Sequence, residues 1–225
     1  MDEKAVLDAL KKAVEKELSC SAHDIDHVMR VHALCITLAE NEAIDMEVLE
    51  SAAILHDIAR AKEDNDSSGK TDHALLGAKM AVPILEDAGF CEEKIRQIQH
   101  CIETHRYRGE NKPQTMEAKI LFDADKLDSL GAIGIARSFV WIGRNNAKIY
   151  TDTNLKEYAR ENLGGKTNGR IKDKTKHSPQ IEFEAKAKHI VDKLHTKKAK
   201  EIGKERLKFY EEFLKRLEME IKGKL

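Results

Sequence analysis

The stretch ILHDIARA, residues 54–61, decides how this sequence is read. His56 and Asp57 stand side by side between two apolar pairs, and the apolar spacing predicts a buried helix here. Burying an imidazole and a carboxylate is costly unless each finds a partner. We therefore expect other parts of the chain, or an ion, to satisfy this pair.

The chain on both sides of this stretch predicts helices almost throughout. The 225 residues include only 12 glycines and 3 prolines, so helix breakers are rare, and no clear alternating run of strand length is present. We predict an all-α fold, a compact multi-helix bundle formed by one domain over residues 1–225. The expected helices cover 2–18, about 24–40, 46–61, 72–89, 91–109, and one or two over 115–143 broken around Gly131–Gly134.

The C-terminal part of the chain differs in character. Residues 143–178 are polar and basic, which predicts a long loop with a short helix inside it. A loop of this length is either a lid over a pocket or disordered, and the sequence leaves both interpretations open. Residues 181–222 predict one or two additional amphipathic helices with solvated Lys-rich and Glu-rich faces.

Composition argues against several classes of partner. Lys+Arg 39 against Asp+Glu 40 gives a net charge of -1, so there is no strong signal for nucleic acid or for an anionic membrane. No apolar stretch approaches the roughly 18 residues that a membrane span requires, and the amphipathic N-terminal segment is not a secretory signal. We expect a cytoplasmic protein whose four cysteines are reduced. A homo-oligomer is compatible with this sequence, which leaves the oligomeric state open.

Four polar residues on predicted apolar helix faces form a candidate metal site: His27, His56, Asp57 and Asp125. Two imidazoles with two carboxylates suit one divalent transition-metal ion, namely Mn, Fe, Co, Ni or Zn. Any one of them taken alone is more typical of a hydrogen-bonded core histidine, a helix cap or an ion-pair partner. From spacing alone, the metal site and these structural roles stand as alternatives.

Three motifs extend the argument beyond spacing. HDIDHVMRV (23–31), AAILHDIAR (52–60) and ILFDADKLDSLGAIGIAR (120–137) occur in this order. Together they resemble the HD superfamily of metal-dependent phosphohydrolases, with the motifs covering roughly residues 20–140. The resemblance implies that the four candidates bind one ion, and that Asp123 is structural.

The same resemblance implies a role for two further histidines. His73 and His105 lie between the HD pair and Asp125, the order found in HD proteins that bind two ions. They are then ligands of a second ion, with Asp57 bridging the two, or they contact phosphate instead. His100 is an alternative to His105 that fits the family position less well.

The implied chemistry is attack on phosphorus by a metal-activated water. Arg30 would act at the reacting phosphate, and Asp128 would serve as a general acid or base or orient a ligand. Further cationic groups would bind the phosphate. Each of these cations also has a structural interpretation as an ion-pair partner. The phosphate-binding candidates are Arg60, Lys126 and Arg137.

The expected function is hydrolysis of a phosphomonoester or phosphodiester, with a small phosphorylated substrate that we expect to be a nucleotide. The run HDIAR lacks the Gly-Lys that often follows the pair in HD phosphodiesterases, which weakens any cyclic-dinucleotide interpretation. Two alternatives remain: a non-catalytic, nucleotide-binding regulatory HD module, and an HD-type di-iron oxygenase. The second alternative requires all six ligands and bound iron.

Overall fold

The computed structural model describes residues 3–18, 25–107, 111–167, 169 and 171–225, and within these the fold is all-α, as predicted. Residues 1–126 and 127–225 form two compact units. Cys20, and the beginning of the helix expected from residue 24, lie outside the described residues. The described cysteines are free thiols, with Cys35 and Cys101 buried and Cys91 exposed.

Within its described residues, the first unit contains seven helices. Within it, α3 packs against α1, α2 and α6, and α5 packs along α6. The fully buried side chains include Leu49, Leu55 and Ile98. The helices are α1 (Glu3–Glu17), α2 (Ile25–Ala39), α3 (Met46–Leu55), α4 (Arg60–Asn65), α5 (His73–Asp87), α6 (Glu92–Thr104) and α7 (Met116–Leu127), the last ending at the boundary between the units.

The prediction of one helix over 46–61 is wrong, because the HD pair lies in a turn. Helix α3 ends at Leu55, residues 56–59 form the turn, and α4 begins at Arg60. The His56 Nδ1 atom lies 2.7 Å from the carbonyl oxygen of Ala53. If the helix continued, this carbonyl would accept a hydrogen bond from the backbone N–H of Asp57. The apolar residues remain buried through Ile58, so the apolar spacing of the sequence does not reveal the turn.

The second unit contains α8 (Gly131–Arg144), α9 (Leu155–Asn162), α10 (Pro179–Ala185), α11 (Ile190–Lys193) and α12 (Lys197–Ile221). Helix α8 packs on α12, and α10 packs on α8 and α9. The prediction of one or two helices after residue 180 is wrong in number. The chain leaves helical geometry at Lys186, with φ −137°, and is extended at Leu194.

The predicted loop over 143–178 does contain a short helix, α9. The Asn162 amide orders the chain beyond α9, because it donates to the carbonyl of Asp173 at 2.8 Å and accepts from its N–H at 2.7 Å. His177 lies nearby, with its Nδ1 2.9 Å from the hydroxyl of Tyr158. The suggestion that this loop is a lid stays a prediction.

Candidate metal centre

Six of the predicted site residues meet in the first unit. His27 comes from α2, His56 and Asp57 from the turn after α3, and His73 is the first residue of α5. These four side chains are buried. The other two are His105, which follows the last residue of α6, and Asp125 on α7.

The carboxylate of Asp57 lies at the centre of this group, and its two oxygens face different histidine pairs. Oδ2 is 3.6 Å from His27 Nε2 and 3.9 Å from His56 Nε2. Oδ1 is 3.5 Å from His73 Nε2 and 3.6 Å from His105 Nε2. The residues thus form two triads of potential ligands that share Asp57. This is the arrangement that a bridging carboxylate requires.

Asp125 adds a fourth potential ligand beside the first triad. Its Oδ1 lies 3.4 Å from His27 Nε2, and its other oxygen is paired with the ammonium of Lys126. Burial raises the pKa of Asp125, but Lys126 and His27 outweigh burial and hold that pKa well below its ordinary value. The residue is therefore a carboxylate, which is the form that binds a cation.

Hydrogen bonds to backbone carbonyls assign the tautomers of two histidines. His56 Nδ1 faces the carbonyl of Ala53 at 2.7 Å, and His105 Nδ1 faces that of Ile102 at 2.6 Å. Because a carbonyl oxygen only accepts, each Nδ1 carries a proton and each Nε2 presents its lone pair to the centre. Burial lowers the pKa of His56 to about 4, although Asp57 opposes this shift, which leaves its imidazole neutral near pH 7.

His73 also directs its Nε2 atom at the centre, but the partner of its Nδ1 atom is a carboxylate. Its Nδ1 contacts Glu63 on α4, and its Nε2 lies 3.2 Å from His105 Nε2. Burial raises the pKa of Glu63, but the hydrogen bond and charge of His73, followed by Arg60 and Arg106, lower it to about 2. Burial lowers the pKa of His73 below its ordinary value, although Glu63 and Asp57 oppose this shift, so the ring is neutral near pH 7. Glu63 accepts a hydrogen bond from Nδ1–H, and the lone pair of Nε2 is then directed inward.

The arrangement fits a cation better than it fits an empty core. Nε2 of His73 and of His105 are both proton acceptors yet lie 3.2 Å apart, and two lone pairs at that distance repel unless a positive charge lies beside them. Donors bound at about 2.1 Å to one ion are separated by about 3.0–3.4 Å. The observed separations of 3.2–3.9 Å are close to this range.

The other predicted site residues have the following positions. Lys126 is buried beside Asp125, with its ammonium 5.3 Å from the ring centroid of Phe122. Arg30 is half-buried one turn along α2 from His27. In the second unit, Arg137 donates to the carboxylate of Asp128 at 2.8 Å.

Two predictions about neighbouring groups can be refined. His100 lies outside both triads and accepts from the N–H of Gln114 at 3.0 Å, so His105 is the histidine that joins the centre. Arg60 is held by carboxylates, at 3.2 Å from both Glu63 and Asp64. Its phosphate-binding role stays a prediction, as do those of Lys126 and Arg137.

Sequence reasoning missed Glu63 and Arg106. Arg106 donates to Glu63 at 2.8 Å and to Asp72 at 2.9 Å. The i, i+3 spacing of Arg60 and Glu63 offered a weak signal for one pair. Nothing in the sequence connects Glu63 with Arg106, which lies 43 positions away.

Comparison with known proteins agrees with this geometry. Residues 24–130 match the family model of the HD domain. The chain contains an HD domain over these residues. The matched range contains all six residues of the centre.

Similar proteins extend the likeness of this HD-domain protein over most of the chain. The uncharacterized protein YpgQ of Bacillus subtilis is 28% identical over 207 residues, which are 90% of this chain and 86% of YpgQ. The crystal structure of YpgQ in complex with ADP has a TM-score of 0.72 and 25% identity, and covers 98% of this chain and 97% of that one.

Two further solved structures carry a hydrolase description. An HD-superfamily hydrolase from Bacillus thuringiensis is 27% identical with a TM-score of 0.68, over 98% of this chain and 96% of that one. A predicted HD superfamily hydrolase from an uncultured Thermotogales bacterium is 26% identical with a TM-score of 0.61, over 96% and 91%. The HD-domain protein described here therefore has the fold of HD-superfamily hydrolases. None of its described helices combines the length and apolar character needed to cross a membrane.

Proposed function

We propose that this protein is a metal-dependent phosphohydrolase that releases phosphate or a nucleotide from a nucleotide phosphoester. The observation that carries the proposal is the buried Asp57 carboxylate, whose two oxygens face two histidine pairs. The ADP complex of YpgQ supports a nucleotide as the substrate class. The hydrolase descriptions of two similar structures support the reaction class.

Six residues would hold one or two divalent ions. His27, His56 and Asp125 would bind the first ion, His73 and His105 the second, and Asp57 both. Ions of this kind lower the pKa of a bound water and polarise a phosphoryl oxygen. Carbonyl hydrogen bonds fix the rings of His56 and His105, so these ligands need no reorganisation before they bind.

The remaining groups would act on the substrate. The buried ammonium of Lys126 places positive charge beside Asp125, where it would stabilise a phosphate oxygen. Arg30, one turn from His27, would provide a second positive charge at the same phosphate. Asp128 and Arg137 pair with each other in the second unit, and their role in orienting the substrate stays a prediction from the sequence.

The test compares wild-type protein with Asp57→Asn, which keeps the shape of the side chain but loses its charge. We expect one to two transition-metal ions per wild-type chain, and phosphate release on a nucleotide panel that includes AMP, whose phosphate is an ester, and ADP, whose terminal phosphate is an anhydride. The variant should lose metal, and its rate should fall more than about 100-fold. Asp192→Asn, at an exposed position in the second unit, is the control. Wild-type protein that binds no offered divalent ion would overturn the proposal.

A second candidate is an HD-type di-iron oxygenase, which the presence of all six ligands in one centre favours. The same samples separate the two. Iron that co-purifies, together with substrate-dependent oxygen consumption and no phosphate release, would support the oxygenase. Tight nucleotide binding with neither reaction would support a regulatory module.

A further inference from the structure

The surroundings of His73 contain a conflict that one carboxylate resolves. Two groups approach its Nδ1 atom. The guanidinium of Arg60 lies 3.3 Å away and can only donate, whereas the carboxylate of Glu63 is closer and can only accept. The two neighbours demand opposite tautomers of the ring.

Only one of these tautomers can bind a metal ion through the inward atom. If Nδ1 is protonated, Nε2 presents a lone pair toward Asp57 and His105, at 3.5 Å and 3.2 Å. If Arg60 were the nearest partner, Nδ1 would accept a hydrogen bond and the proton would move to Nε2. The inward nitrogen would then have no lone pair for a cation.

Glu63 is itself held from two sides. Arg60 donates to its Oε2 at 3.2 Å and Arg106 to its Oε1 at 2.8 Å. Arg106 also pairs with Asp72 at 2.9 Å, and Asp72 caps α5 by accepting from the N–H of Ala74. This cluster therefore connects the short helix α4, the end of α6 and the first turn of α5, where His73 lies.

We propose that Glu63 is the positioning residue that sets the Nδ1-protonated tautomer of His73 against the opposing guanidinium of Arg60. In this tautomer the Nε2 atom of His73 presents a lone pair to the centre, so Glu63 enables His73 to bind the second ion. Arg60 and Arg106 hold the carboxylate in place. The inference rests on the proposed function, because its consequence is measured as affinity for the second ion.

The first readout is the tautomer of His73 in metal-free protein near pH 7.5, measured by long-range ¹H–¹⁵N correlation NMR. Wild-type protein should show Nδ1–H. Glu63→Ala should show Nε2–H, because Arg60 becomes the nearest partner. Glu63→Met, with similar length and no acceptor, gives the same expectation and serves if the alanine variant fails to fold.

The second readout is calorimetric titration with Mn²⁺ or Zn²⁺. Glu63→Ala should bind the second ion about 10- to 100-fold more weakly, with the first ion little changed. Removing the opposing donor as well, in Glu63→Ala/Arg60→Ala, should recover the Nδ1–H form in part and some of the lost affinity. A purely structural role would predict further loss in the double variant.

Glu50→Ala is the matched control. Glu50 also pairs with a histidine, at 2.8 Å from His32 Nε2, and its side chain is 14% exposed against 18% for Glu63. It should change neither the His73 tautomer nor the metal titration. The proposal is overturned if Glu63→Ala keeps Nδ1–H and binds the second ion as tightly as Glu50→Ala does. Wild-type protein that shows Nδ1–H but binds no ion would overturn the proposed function while supporting the assignment of Glu63.

Discussion

At the scale of single residues, two histidines of the centre are oriented by the same kind of hydrogen bond. His56 and His105 each follow the end of a helix and donate from Nδ1 to the carbonyl three residues earlier. This bond satisfies a carbonyl that the helix leaves without an intrahelical partner. It also points Nε2 at the centre, so the ending of the helix and the orientation of the ligand have the same cause.

Asp66 organises the loop that leads to His73. Its carboxylate accepts backbone N–H groups from Ser68 at 2.8 Å, Lys70 at 3.0 Å and Thr71 at 2.8 Å. Hydrogen bonds from Ser68 and Thr71 lower the pKa of Asp66 below its ordinary value of 3.8. The carboxylate form therefore stabilises the folded state.

We expect Asp66→Asn to unfold at a lower urea concentration than wild type at pH 7. A lowered folded-state pKa contributes stability that is complete above the unfolded-state pKa and is lost as the pH falls through the folded-state value. The difference between the urea midpoints of wild type and Asp66→Asn should thus be constant from pH 7 to 5 and decrease below about pH 4. Asp87→Asn, at an exposed position on α5, is the control. A difference that does not change with pH would contradict this account.

The residues of the centre were largely predictable, whereas their supports were not. The types and order of His27, His56, Asp57 and Asp125 are visible in the motifs, and His73 and His105 follow in the expected order. The contact of His73 with Glu63 depends on how a short helix and a loop fold back, and no periodicity encodes that path. Tautomers are equally invisible, because they depend on which carbonyl lies beside each ring.

At the scale of elements, the sequence predicted the helices better than their ends. The turn at residues 56–59 escaped notice because its apolar residues are buried like those of the preceding helix. The break after α7 was expected around Gly131–Gly134, and it falls at residues 128–130. The backbone conformation explains why glycine stands at the start of α8, since Gly131 has φ +67°, a conformation that other residues rarely adopt.

Two glycines of α8 provide a matched test of this turn. A Cβ atom at Gly134 would lie 2.3 Å from the carbonyl oxygen of Ser129, whereas one at Gly143 would meet nothing within 4 Å. Gly134→Ala should therefore lower the free energy of unfolding by about 1–3 kcal/mol. Gly143→Ala should raise it by up to about 1 kcal/mol.

Urea denaturation followed by circular dichroism measures both variants. The comparison controls for helix propensity, since the substitution and the helix are the same and only the surroundings differ. Equal changes in the two variants would show that the close approach to Ser129 is not what requires glycine at position 134.

At the scale of the whole molecule, the open question is whether residues 1–225 form one domain, as the sequence predicts. The structure divides into two compact units at residues 126 and 127. All six residues of the proposed metal centre belong to the first unit, while the one tryptophan, Trp141, belongs to the second. Metal binding and tryptophan fluorescence therefore probe different units.

If the chain is one domain, adding metal should stabilise both units together. A ligand at 100 times its dissociation constant stabilises the state that binds it by about 2.7 kcal/mol. We expect Mn²⁺ at that excess to raise the urea midpoint of Trp141 fluorescence and that of far-UV circular dichroism by the same amount, with one transition in each. Asp57→Asn should show no shift with either probe. The contrary result is a circular dichroism curve with two steps and a fluorescence midpoint that metal does not change. It would mean that the second unit unfolds independently, because metal binding to the first unit then does not stabilise the second.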